Sequence, residues 1–339
     1  MSFDAPPNLT NADEYRHPKP EGAKDLLYGD TLWVSVVDPA AGIHGVIHFH
    51  LTNNGFGRFE SLFVIDGVVQ LYGNKIPLDP KPDDGPWSDG RLAYSVIEPW
   101  NHINIGFDWE AFAFDLDFKG RFAPFDYADA VPNGDPLARV GPFHGGHYEQ
   151  AMDCTGSFEI RRGPNAGDTR TIDCWSHRDH TWSDRFAIAP QWKVREAHFA
   201  SHYWPSIQLP DRHINAFGSY FENAREVEDK AFGGFISDKD GSRPLLNATA
   251  EISPNDGTAA MRAAKSFRYS FTLPGGEVIN VRSTKHHGTI QLWLRAENDL
   301  ENRLDCYEAF CDYEVEETGE VGTGTSEYSI MPVFPQWKA

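Results

Sequence analysis

A chain of 339 residues is long enough for two domains or one large β domain. Its 30 Lys and Arg stand against 50 Asp and Glu, a formal net charge of −20, and no basic run interrupts that balance, which sets nucleic acid and anionic membranes aside as partners. The opening MSFDAPPNLTNADEYRHPKPEG has no cationic stretch leading into an apolar one, and no apolar run approaches the roughly 20 residues of a membrane span, so a soluble, cytoplasmic protein without membrane insertion is expected.

In chain order, the first twenty-odd residues read as a surface arm. Strands follow in GVIHFHLT and ESLFVIDG, a Pro-rich surface loop in IPLDPKPDDGPWSDG, and a strand in LAYSVIEP. In FAFDLDFKG the period is two: Phe112, Phe114, Leu116 and Phe118 share one face while Asp115, Asp117 and Lys119 take the other. The loop-rich YADAVPNGDPLARVGPFHGG, residues 127 to 146, then divides the strands into two comparable sets, which places a domain junction near residue 145. Beyond it, strands are expected in GSFEIRR, HINAFGSYF, SFRYSFTL, GEVINVRS and TIQLWLRAE, with turns at NNG, PNG, DKDG and LPGGE. Only ENAREVEDKAF and GTAAMRAAKSF have a pattern fit for short helices, and no internal repeat is evident. The expectation is an all-β protein of two barrel-like antiparallel halves, residues 1–145 and 146–339, with a pocket in or between them. The four cysteines, Cys154, Cys174, Cys306 and Cys311, form no CxxC pair and read as buried free thiols, although Cys154 and Cys174 can face each other across a hairpin.

Chemistry-bearing residues concentrate in CWSHRDHTWSDR, residues 174 to 185. Read as a strand, the overlapping RTIDCWSHRDH, residues 170 to 180, puts Asp173, Trp175, His177 and Asp179 on one face and Cys174, Ser176, Arg178 and His180 on the other. His177 and Asp179 then lie about 6.6 Å apart, two residues at about 3.3 Å each, near enough to share a substrate or a water. A strand with polar groups on both faces marks either a functional site or a buried ion-pair corner in which Asp179 pairs with Arg178 or Arg185. Just upstream, HGGHYEQ supplies His144, His147, Tyr148 and Glu149, a proton donor and a carboxylate beside a glycine turn. Glu149 is alternatively a partner for one of the arginines. Downstream, His198, His202, Tyr203, Trp204 and His213 lie close in sequence, and each imidazole alone is better read as a hydrogen-bonded core or surface residue.

A metal site based on His48 and His50 in HFH lacks a complete set of ligands, since Glu60 is the next carboxylate and lies ten residues beyond His50. No P-loop, GxGxxG, GxSxG or HExxH is present, so no cofactor is expected.

HYEQ, a following G-x-F and then CWSHRDHTWSDR together resemble the hydroxyneurosporene synthase (carotenoid hydratase)-like superfamily, also called AttH-like. The closer resemblance is to its bacterial branch, which carries HYEQ and RDHSWG-type elements. It is sharp over residues 147 to 185: His147, Tyr148, Glu149 and Gln150 match the first motif, and Arg178, Asp179, His180, Trp182 and Arg185 the second. Ser183 stands where that branch usually has Gly, so the local backbone can differ. The resemblance implies two lipocalin-like β-barrel domains and cofactor-free chemistry on hydrophobic molecules.

Such chemistry needs an acid that protonates carbon, a partner for water, and aromatic walls for a carbocation. Asp179 or Glu149 is the expected acid, and His177, His180 or Tyr148 the water partner, with Arg185 fixing the motif. Trp175, Trp182, His147, Tyr203 and Trp204 are the expected substrate contacts. The expected activity is a hydratase, dehydratase or related isomerase or cyclase acting on a terpenoid or aromatic metabolite. The alternatives are a lipocalin-like carrier of an apolar ligand and a metal enzyme using His48 and His50. The expected partners are a hydrophobic small molecule and, where the chain self-associates, a second copy in a homodimer.

Overall fold

The computed structural model describes residues 2–17, 28–52, 56–77, 87–129, 146–184, 198–223, 226–254, 264–293 and 305–330. Among them the regular structure is almost entirely strand. Alternating apolar and polar residues satisfy a sheet that buries one face, and turn chemistry separates the runs. Asp66 and Gly67, at φ 49° and 79°, form the two-residue left-handed turn expected of an Asp-Gly hairpin.

The first sheet contains β1 (Tyr28–Asp38), β2 (Ile43–Thr52), β3 (Phe56–Ile65), β4 (Val68–Pro77), β5 (Trp87–Ser88) and β6 (Leu92–Glu98). It continues with β7 (His102–Asp108), β8 (Phe112–Gly120), β9 (Phe125–Asp126), β10 (Gly146–Ile160) and β11 (Thr169–Asp184). Its order is β4-β3-β2-β1-β11-β10-β8-β7-β6-β5, with β9 added on β10. The second sheet holds β12 (His198–Leu209), β13 (Arg212–Asn223), β14 (Glu226–Asp238), β15 (Gly241–Pro244) and β16 (Asn247–Pro254). To these it adds β17 (Ala264–Thr272), β18 (Val278–Trp293), β19 (Asp305–Val315) and β20 (Val321–Ile330), in the order β15-β14-β13-β12-β20-β19-β18-β17-β16. The two are lipocalin-like antiparallel barrel units, as the sequence led us to expect.

Curling brings distant rows of the first sheet together. Phe63 on β3 lies 5.6 Å from Phe112 and 5.2 Å from Phe158 on the opposite wall, and Phe49 on β2 lies 5.8 Å from Tyr94 on β6. Phe112, Phe114, Leu116 and Phe118 all point into this core, as the alternation in FAFDLDFKG requires. Each such ring taken out of water contributes about 1.5–3 kcal/mol.

Five expectations need correction. The junction does not fall near residue 145, because β10 pairs with β8 and β11 with β1. Both motif strands therefore complete the first sheet, and the second sheet begins with β12 at His198. Of the segment read as a helix in ENAREVEDKAF, residues 222–223 end β13 and 226–232 begin β14, where strand pairing takes precedence over helical spacing, and 224–225 lie outside the described residues. Of GTAAMRAAKSF, residues 264–267 are strand and the rest lies outside the described residues. Trp87, placed in a surface loop, is buried in the first core. A repeat, invisible in the residues, is present in the topology: β1 and β12 each pair with the following hairpin strand on one side and the last strand of their unit on the other.

Candidate acid–base site

The β10–β11 ladder sets Glu149 opposite Asp179, His147 opposite Thr181 and Ala151 opposite His177, and β1 sets Trp33 opposite Asp179. Odd-numbered residues of both motifs therefore share one face and even-numbered residues the other. This is the alternation read from RTIDCWSHRDH.

On the odd face four titratable side chains make a continuous chain. His177 Nε2 lies 2.8 Å from Glu149 Oε2, and Glu149 Oε1 lies 3.2 Å from His147 Nε2. His147 Nε2 also contacts Asp179 Oδ2, and the Thr181 hydroxyl donates to both Asp179 oxygens at 3.1 Å. Imidazole and carboxylate thus alternate along His177–Glu149–His147–Asp179. Glu149 and His177 are fully buried, whereas His147 and Asp179 each keep 6% of their surface exposed. Carboxylates taken out of water need charged or hydrogen-bonding partners, and here imidazoles stand beside both. Tyr127 stacks on His147 at 4.3 Å, and Trp33 meets His177 edge-on at 5.6 Å.

The even face carries a different network. Arg178, fully buried, holds Glu14 of the N-terminal arm through two 2.7 Å bonds and donates to Gln150 Oε1 at 2.6 and 3.1 Å. The hydroxyls of Tyr94 and Tyr148 lie 3.4 Å from the same guanidinium. Burial pushes the Tyr148 hydroxyl well above its ordinary range against the pull of Arg178, so it stays protonated. Trp100 sits at φ 64°, a strained value for a bulky residue. Its backbone N–H donates to Glu14 at 2.9 Å and its indole to Asn11 at 2.8 Å. Alongside, Asp30 lies 2.8 Å from His180 Nε2 and 3.2 Å from His17 Nδ1, and His17 stacks on Trp182 at 3.8 Å. Burial raises the Asp30 pKa, but His180 and His17 outweigh it and bring it down to about 2.

The expected site residues therefore separate. Asp179, Glu149, His177 and His147 come together on the odd face, while Tyr148, His180 and Trp182 belong to the even-face network. Trp175 shares the odd face but lies under the Arg121 guanidinium, 4.3 Å away. Tyr203 and Trp204 stand on β12 in the second unit, where the Tyr203 hydroxyl donates to the Ala248 carbonyl at 3.0 Å from within the core. Arg185 and His144 lie outside the described residues. The pairing of Asp179 with Arg178 is not formed, because adjacent residues of a strand point to opposite faces and Arg178 takes Glu14 instead.

The metal reading of His48 and His50 also fails on geometry. His48 Nδ1 lies 3.0 Å from Glu60, whose other oxygen is 2.7 Å from Arg58, so a guanidinium already occupies the carboxylate a cation would need. Among the described residues, the trios whose ligand atoms lie within 4.8 Å of one another are His147/Glu149/Asp179, His17/Asp30/His180 and His202/Cys306/Glu327. Sequence reasoning missed Glu14, Asp30 and Tyr94. For Glu14 the one available signal was the capping pattern at Thr10, whose backbone N–H and hydroxyl both donate to Asp13 at the start of the turn Asn11–Glu14.

The fold and the buried imidazole–carboxylate chain define a protein of two lipocalin-like barrels with an ionisable site on its motif strands. The chain belongs to the family described as domain of unknown function DUF7064, matched over residues 10–332. A search of curated proteins gives no match. Among solved structures it is similar to the crystal structure of CghA with Sch210972, at 10% identity and TM-score 0.60, covering 90% of this chain and 88% of that one. It is similar also to CghA alone, at 10% identity and TM-score 0.60, covering 91% and 88%. At that identity the likeness is one of fold. No helix among the described residues is long and apolar enough to cross a membrane.

Proposed function

We propose that the protein is a cofactor-independent acid–base enzyme, a hydratase, dehydratase or related isomerase of a hydrophobic small molecule. The observation that carries this reading is the alternating chain His177–Glu149–His147–Asp179. Exposure divides the labour within it. Asp179 and His147, buried but the less sealed end of the chain, are the groups we assign to the ligand, and the fully sealed Glu149 and His177 hold the orientation of His147.

In hydration, the Asp179 carboxyl gives its proton to an alkene carbon. A water adds to the cation and loses its proton to His147, and the contact between His147 and Asp179 returns that proton to the acid. Run backwards the cycle dehydrates; with water kept away, a proton lost from a neighbouring carbon isomerises. The rings of Tyr127 and Trp33 flank the chain, and an aromatic face stabilises a desolvated cation by about 2 kcal/mol. Tyr148 and His180, on the other face, support the strand pair without touching the reacting atoms. A terpenoid or aromatic substrate is the class that the motif resemblance favours.

The test is product formation from an apolar metabolite extract. Asp179→Asn and Glu149→Gln variants that keep the wild-type circular dichroism should lose turnover, and full turnover by both contradicts the proposal.

A further inference from the structure

The second unit holds an ionisable cluster that the proposed chemistry does not use. On β12, β20 and β19 the pairing places His202 and Cys306 on either side of Ser329, and Glu327 two residues further along β20, opposite Glu308. Tyr203, Tyr328 and Tyr307 have the other parity and point into the core of the sheet, so His202, Glu327, Cys306 and Glu308 share the opposite face. His202 Nε2 lies 2.5 Å from Glu327 Oε1, and one ligand atom each from His202, Cys306 and Glu327 falls within 4.8 Å of the other two. Cys306 is fully buried and His202 nearly so, while the Glu327 side chain keeps 16% of its surface.

We infer that His202, Cys306 and Glu327 form a binding site for a divalent transition metal, with Zn²⁺ as the cation that fits the donors. Sulfur, imidazole nitrogen and carboxylate oxygen are the three ligand types zinc accepts, and hard cations such as Mg²⁺ or Ca²⁺ do not favour the sulfur. The ligand atoms have to adjust on both sides. Tetrahedral bonds of about 2.3 Å to sulfur and about 2.0–2.1 Å to nitrogen or oxygen set the sulfur about 3.6 Å from the other two atoms, inside the 4.8 Å within which they now lie. Tetrahedral zinc, with Zn–N and Zn–O near 2.0–2.1 Å, holds those two atoms about 3.3 Å apart. The His202–Glu327 contact therefore opens by about 0.8 Å, within reach of side-chain rotation. As the Zn–S bond forms, the thiol proton leaves to water. Glu308, buried on the same face opposite Glu327, stands beside the trio, and the fourth position is left to water. The other two trios differ in kind: one is the proposed acid–base site, and in the other Asp30 is shared between two imidazoles with no sulfur present.

The site is tested on the full chain, stripped with chelator and titrated with Co²⁺. The expected result is one equivalent bound, with a near-ultraviolet thiolate-to-cobalt charge-transfer band that added Zn²⁺ removes. Cys306→Ser should abolish the band, and Cys311→Ser, which changes a thiol of the opposite face, should leave it intact. If Cys306→Ser fails to fold, His202→Gln keeps the thiol and should weaken Co²⁺ binding at least tenfold. Absence of the band in wild type at excess Co²⁺, its persistence in folded Cys306→Ser, or unchanged Co²⁺ affinity in His202→Gln overturns the assignment. Turnover plays no part in the readout, so the result stands apart from the acid–base proposal.

Discussion

Replacing Glu14 by Gln removes one charge from a pair buried to 0% exposure on both sides. Arg178 keeps its bonds to Gln150 and the weaker contacts of Tyr94 and Tyr148, all neutral groups, so its charge is left in the interior without a counter-charge. Breaking a buried ion pair from one side costs about 3–5 kcal/mol, a large share of a typical folding stability of about 5–15 kcal/mol. With a guanidinium slope of about 4 kcal/mol/M, the unfolding midpoint should fall by about 1 M, followed by tryptophan fluorescence. The Gln amide keeps one oxygen for the Trp100 N–H, but its NH₂ then faces the Arg178 Nη1 donor where a carboxylate oxygen accepted. Adding Arg178→Met in the Glu14→Gln background removes the unpaired charge and should recover part of the loss. A single variant that costs less than about 1 kcal/mol, or a double variant as weak as the sum of the two singles, refutes a buried pair holding the arm in place.

Three further outcomes are expected. Asp30 ionises below its ordinary range, at about 2 against 3.8, and Glu60 at about 2 against 4.5, so both contribute stability that is complete above about pH 5. As pH falls through the window from about 4.5 to 2 that stability is lost, about 2 kcal/mol for Asp30, and Asp30→Asn should flatten acid unfolding measured by circular dichroism. Gly146→Ala puts a methyl 2.2 Å from the Trp182 ring, and the forced shift should cost about 1–3 kcal/mol in thermal or denaturant unfolding. Tyr148→Phe removes a hydroxyl 3.3 Å from His180 Nδ1 and 3.4 Å from Arg178. It should cost about 1 kcal/mol of stability yet retain turnover, the reverse of the outcome for Asp179→Asn.

Much of this was readable in the residues because strand parity is local. The alternation in FAFDLDFKG gave the correct inward face, and the alternation across residues 170–180 separated His177 and Asp179 from Arg178 and His180 before any partner was known. Partners are a matter of long-range pairing, and there local reading ran out. Arg178 and Glu14 are separated by 164 positions, and nothing near Arg178 distinguishes a remote carboxylate from the adjacent Asp179. The misplaced junction has the same origin: a loop-rich stretch signals a break in the chain, whereas membership of a sheet depends on β1 returning to pair with β11. Trp87 was misassigned because its Pro- and Asp-rich surroundings outweigh one indole in any composition-based reading, although that indole lies 6.4 Å from Phe49 in the core.

The most direct test of the acid–base site follows carbon-bound deuterium. An apolar metabolite extract is incubated in D₂O with wild type, Asp179→Asn and Tyr148→Phe, and the compounds that change are read by mass spectrometry. Transfer of the Asp179 proton to carbon requires wild type and Tyr148→Phe to place deuterium on carbon in product or recovered substrate, and Asp179→Asn to place none. Equal labelling by Asp179→Asn, or a compound retained unchanged and unlabelled by all three proteins, contradicts it.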